Sequence, residues 1–168
     1  MGILYRGNVF KQCFSYVQKM KEILNKKGFF VIYALVGAVS GVLLNTLILR
    51  SPLPELFPAY SESFSGRLFS TDIVTGIFLY CILSPVTEEL LFRRLVYDLL
   101  YKSLGFPAAA LISSLLFAAY HMNMIQGIYA FSMGMLICVL YHRDHRMGVP
   151  IAMHIGANLA VWLLANRL

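Results

Sequence analysis

Charge is what this chain has least of. Asp, Glu, Lys and Arg make up 13% of its 168 residues, against roughly 25% in an average soluble domain. From Ile73 to Thr87 there is none at all. Hydrophobic residues supply 59% of the chain, and a soluble globule of this size buries only about two-thirds of the surface that its unfolded chain exposes. A soluble fold is therefore excluded, and the composition points to an integral membrane protein. Cysteine is scarce too. Cys13, Cys81 and Cys138 are odd in number, form no CxxC pair and lie in apolar stretches, so they read as small buried hydrophobes. There is no HExxH, internal repeat, low-complexity segment or linker, which leaves one compact helical unit.

The charge that is present is unevenly placed. Six of the fourteen basic residues, Arg6, Lys11, Lys19, Lys21, Lys26 and Lys27, precede the first apolar run. The net charge of +6 therefore reads as a cytoplasmic flank facing anionic lipid rather than a nucleic-acid footprint. Residues 1–28 carry apolar positions at Phe10, Cys13, Phe14, Val17, Met20 and Leu24 with Lys and Gln between them. That spacing predicts an amphipathic helix, either lying in the interface or packed on the rest of the protein. A secretory signal peptide is not expected, because the following apolar run is about 20 residues, too long for an h-region. "MGILYR" does not satisfy a myristoylation motif, since position 6 is arginine.

Residues 29–168 predict a polytopic domain. Phe29–Leu49 is long enough to cross a bilayer, and the proline- and serine-containing stretch after it predicts a loop. A second apolar stretch begins near Asp72. Phe106–Tyr141 is a run of 36 residues without Asp, Glu, Lys or Arg, which must fold back on itself near "HMNMIQG". The loop "HRDHRMG" leads to a last segment, "VPIAMHIGANLAVWLLA". The expected fold class is an all-α integral membrane protein of about five transmembrane helices preceded by the amphipathic helix. With the N-terminus inside, eleven basic residues fall on the inner side and only Arg50, Arg67 and Arg167 outside, as the positive-inside rule requires. A bacterial plasma membrane is the expected location.

Ionisable groups inside a bilayer cost about 2.5–3.5 kcal/mol each on insertion scales, so each one asks for a reason. Three clusters stand out. In Glu88-Glu89-Leu90-Leu91-Phe92-Arg93, Glu89 and Arg93 are i,i+4 partners. Glu88 lies about 100° further round and has no such local partner. The bland alternative is an ion-pair cluster at the membrane boundary. Phe117 and His121 share one helix face, and so do His154 and Asn158. Glu88 to Lys102 and Pro107 to His121 are both fourteen residues. A hairpin turning at Ser103–Phe106 therefore sets Glu88 level with His121, about 21 Å from the turn. His154 is only about 9 Å into the last helix by the same rise, a mismatch that tilt or unequal starting levels must remove. Tyr120, Asn123 and Gln126 lie near the expected site.

These three motifs, in this order, resemble the CPBP (Abi) family of CAAX prenyl endopeptidases and bacteriocin-processing or self-immunity proteins, over about residues 84–168. The resemblance implies a glutamate-dependent intramembrane endopeptidase acting on a hydrophobic or prenylated peptide. Glu88 and His121 would activate water, His154 and Asn158 would stabilise the oxyanion, and Glu89 and Arg93 would hold the glutamate-bearing helix. Family members generally carry more transmembrane helices, so a compact prokaryotic member that trims a peptide or protects against a bacteriocin is the closer expectation. No cofactor is implied. One Glu and two His could supply three zinc ligands with a fourth position open to water, but the missing HExxH and the resemblance favour metal-free chemistry. His142 and His145 read as part of a solvated loop. Two other functions remain in view. One is a non-catalytic immunity protein that keeps the motifs as a polar core. The other is a small proton-coupled transporter, for which the outer half offers few polar residues beyond Asn45, Thr46 and Thr75. Substrate, cleavage position and oligomeric state are not legible.

Overall fold

A computed structural model describes residues 28–57 and 72–166. The amphipathic helix expected over residues 1–28 lies outside the described residues apart from Gly28, as does most of the loop before Asp72. The chain divides into two units, Met1–Ile32 and Tyr33–Leu168. Of the first, the described residues are helical, and the Phe29 and Phe30 rings meet edge to face at 6.3 Å.

The described residues contain helices and no strand. Four helical runs are long and apolar enough to cross a membrane: Gly28–Leu49, Ile73–Tyr120, Met124–Asp144 and Gly148–Ala165. The protein is an all-α membrane protein. We number the helices α1 (Gly28–Leu49), α2 (the short Leu53–Leu56), α3 (residues 73–104), α4 (residues 106–120), α5 (Met124–Asp144) and α6 (Gly148–Ala165). Division of the 48-residue run yields the fifth apolar segment. At its break Gly105 has φ 74°, ψ 179°, a left-handed conformation that glycine adopts without steric penalty. Pro107 follows in the first turn of α4, where its missing N–H is not needed.

The reversal falls inside Ser103–Phe106, and α3 and α4 pack antiparallel. The Phe92 and Phe117 rings are 5.1 Å apart, and Ser113 Oγ donates to Phe92 O at 2.8 Å. Phe92–Phe117 is the register in which Glu88 stands level with His121, since both pairs are equidistant from the turn. Buried Ala109, Ala110, Ser113 and Ser114 on α4, with Gly134 on α5, give the small surfaces that let helices approach in a membrane. The second reversal, at His121–Asn123, uses a left-handed Met122 (φ 50°). There the Asn123 side chain caps α5 by accepting from Gln126 N at 3.1 Å.

α6 lies antiparallel to the first half of α3, with Trp162 against Gly76 and Asn158 against Tyr80. It runs with the Tyr33–Leu49 portion of α1, Gly37 meeting Met153 and Gly41 meeting Ala157, and the backbones almost touch. A Cβ on Gly37 would stand 1.9 Å from Met153 O, and one on Gly156 would stand 2.0 Å from Ala34 O. Only hydrogen at those Cα atoms permits this approach. α1 thereby braces the helix that carries His154 and Asn158.

Candidate active site

The glutamates lie on an unusual piece of helix. Two π-helical stretches, Ile77–Leu83 and Leu90–Tyr97, flank the α-helical turn Ser84–Glu89. Such widened turns recur at functional sites. Pro85 opens the central turn and cannot donate to the preceding carbonyls.

Glu89 and Arg93 form the expected pair. Arg93 Nε is 3.1 Å from Glu89 Oε2, and both side chains are 0% exposed. Their atoms are close as charges without being aligned as a hydrogen bond, and Coulomb attraction needs no alignment. Arg93 Nη2 donates to Gly134 O at 3.2 Å, and its guanidinium lies 4.7 Å from the Phe117 ring centroid. A cation over a ring face gains from the ring quadrupole. Sequence spacing foresaw the ion pair but not the carbonyl, because every residue carries one.

Glu88 differs from the expectation that it lacks a local partner. Ser84, one turn earlier, donates its hydroxyl to Glu88 Oε1. The i,i+4 spacing of Ser84 and Glu88 was visible in the sequence and is the signal that would have found this contact. Glu88 keeps 12% of its side chain exposed, and its Oε2 stands 3.7 Å from His154 Nε2.

His154 is the junction. Its Nδ1–H donates to Glu89 Oε1 at 2.7 Å while Nε2 faces Glu88. A carboxylate on one ring nitrogen orients the imidazole and leaves the other nitrogen for chemistry. The depth mismatch disappears through unequal starting levels. Tyr97 and Asp98 are bonded by His142 and Tyr141 near the end of α5, so α6 begins beside the middle of the α3–α4 hairpin rather than at its tip.

His121 is placed otherwise. Its Nδ1–H donates to Phe117 O at 2.9 Å, which leaves Nε2 as the acceptor of the neutral ring. The Phe117 ring meets His121 at 4.9 Å and His154 at 5.6 Å, edge to face in both cases, so the two imidazoles flank one aromatic spacer. Glu88 and His121 are level but not in direct contact, since no ion pair joins them among the described residues. Among those residues no three His, Cys, Asp or Glu side chains group to hold a metal ion. Asn158 donates Nδ2–H to Tyr80 O at 3.0 Å. Tyr120 packs its ring on Phe92 and His121.

Fold and site define a helical membrane protein with a paired carboxylate–imidazole centre built from α3, α4 and α6. A family model described as type II CAAX prenyl endopeptidase Rce1-like matches residues 70–160. That span covers more than half of the chain and contains every residue of the site, and the chain belongs to this family. It is similar to "Putative membrane peptidase YdiL" of Bacillus subtilis, 33% identical over 97 residues, 55% of this chain and 40% of that one. UPF0177 protein YbdJ of Lactococcus lactis is 25% identical over 169 residues, 99% of this chain and 71% of YbdJ. Membrane-embedded CAAX protease MroQ of Staphylococcus aureus is 25% identical over 146 residues, 82% of this chain and 59% of MroQ. The chain thus spans well under two-thirds of the length of YdiL and MroQ. No solved structure matches.

Proposed function

We propose that this protein is a glutamate-dependent, metal-independent intramembrane endopeptidase acting on a hydrophobic or prenylated peptide, in a bacterial plasma membrane with its N-terminus cytoplasmic. The observation that carries this reading is the division of labour between adjacent carboxylates. Glu89 is sealed between Arg93 and His154, whereas Glu88 keeps an oxygen turned toward His154 Nε2 and partly open. Glu88 accepts a proton from a water that attacks the scissile carbonyl. His121, through its acceptor Nε2, holds the same water by its other O–H, and the proton taken by Glu88 passes to the leaving amine, directly or relayed by His121, as the C–N bond breaks. A gap bridged by one water is within reach of general acid–base catalysis. The second N–H of the Asn158 amide polarises the carbonyl oxygen, and His154 joins it when Nε2 also carries a proton. Donors of that kind are worth about 2.7–4 kcal/mol each where they have been removed from other enzymes.

Purified protein offered prenylated CAAX peptides and hydrophobic leader peptides, with and without chelator, tests this. Cleavage that survives chelator and disappears in Glu88→Gln is expected. Equal product from both proteins would remove Glu88 from the mechanism, and chelator-sensitive cleavage would replace it with metal chemistry.

A further inference from the structure

Asn158 has an engagement that its place in the motif does not explain, and Pro85 supplies the reason. Each helical carbonyl takes the N–H four residues on in the α register or five residues on in the π register. The Ser84 N–H goes to Leu79 O, the π partner, so Tyr80 O loses its α donor. Its π donor would come from residue 85, a proline, which has none. Tyr80 O is thus without a helical donor in either register, within an apolar run where a bare carbonyl is strongly unfavourable. Asn158 Nδ2–H fills that vacancy at 3.0 Å.

The geometry has a consequence for the site. Asn158 is one turn beyond His154 on α6, and Tyr80 is about two turns before Glu88 on α3. α6 therefore holds α3 at two heights, His154 on the glutamates and Asn158 on the orphaned carbonyl. One such contact sets a distance; two set register and rotation.

We propose that Asn158 is a positioning residue, a cross-helix clamp whose amide replaces the N–H that Pro85 lacks and so holds His154 against Glu88 and Glu89. The clamp commits one of the two Nδ2 protons and leaves the other for a substrate carbonyl. It rests on the peptidase reading only for its cleavage readout.

A double-mutant cycle tests it. Pro85→Ala gives residue 85 an N–H, so Tyr80 O no longer needs Asn158. Asn158→Ala is expected to lower the unfolding temperature of the detergent-purified protein, and to lower it much less when Pro85→Ala is present. Asn158→Ala is expected to slow cleavage by more than the roughly 10²-fold that misplacement of His154 by about 1 Å costs, and the double variant recovers that positioning share while still lacking the N–H that faces the substrate carbonyl. An unfolding temperature lowered equally in both backgrounds overturns the clamp. If Pro85→Ala does not fold, Asn158→Ser and Asn158→Leu separate donation from bulk. The serine variant is expected to melt higher, and a leucine variant melting as high or higher overturns the proposal. Absence of cleavage by the parent protein would count against the peptidase reading alone, because the melting cycle still decides the clamp.

Discussion

His154 Nδ1 lies 2.7 Å from Glu89 Oε1, and that contact ties the last helix to a carboxylate already paired with Arg93. Arg93, Glu89 and His154 form a chain of charge and hydrogen bond that ends at His154 Nε2, 3.7 Å from Glu88. Adjacent glutamates thereby have different surroundings, one sealed inside the scaffold and one partly open.

The two glutamates should separate cleanly in experiment. Glu88→Gln is expected to reduce cleavage by roughly 10²–10⁴-fold, the usual contribution of a general base, with little change in unfolding temperature. Glu89→Gln should lower the unfolding temperature, since it strips the counter-charge from a fully buried Arg93. Parallel cleavage and melting measurements on both variants check this.

Arg93→Ala leaves Glu89 buried without its counter-charge. Breaking one side of a buried pair costs about 3–5 kcal/mol, and the purified variant should melt correspondingly lower. Replacing both partners, as Glu89→Leu with Arg93→Met, should be less damaging than Arg93→Ala alone, because neither buried charge is then left unpaired. A double variant no more stable than the single one would show that Gly134 O and the Phe117 ring, rather than Glu89, dominate the hold on Arg93.

Gly37→Ala puts a methyl 1.9 Å from Met153 O. The clash is with backbone, which cannot rotate away. Destabilisation of at least the roughly 1–3 kcal/mol of an overpacked core is expected. Gly28→Ala, where nothing lies within 4 Å, is the matched control and should melt like the parent. Equal melting of both variants would mean that α1 and α6 do not make this contact.

His121→Ala removes an imidazole whose hydrogen bond, among the described residues, is to Phe117 O of its own helix. Cleavage should fall by about 10²-fold or more if the ring moves a proton, while unfolding temperature changes little. Preserved cleavage would confine the chemistry to Glu88 and His154.

Legibility in the sequence followed the range of the interaction. The Glu89–Arg93 pair and the facing of His154 with Asn158 are consequences of helical period, and spacing alone exposes them. The hairpin at Ser103–Phe106 was readable from the equal arms on either side of it, and Gly105 is the residue that makes the break there. Ser84 on Glu88 obeys the same four-residue rule but carries no charge to draw the eye. The π turns, Gly134 O and Tyr80 O had no signature, because backbone acceptors exist at every position and only packing selects among them.

By itself the sequence determined that the chain lives in a membrane, that its apolar stretches are helical, and which ionisable residues must be accounted for there. Hydrophobicity and local period suffice for that, being sums over neighbours along the chain. Tertiary structure alone decided which histidine meets the glutamates. His121 is level with Glu88 by count, yet stays on its own side of Phe117. His154 arrives from the far end of the sequence because the end of α5 sets where α6 begins, and because glycines let α1 press α6 into place. Depth and rotation of a helix are properties of what it packs against.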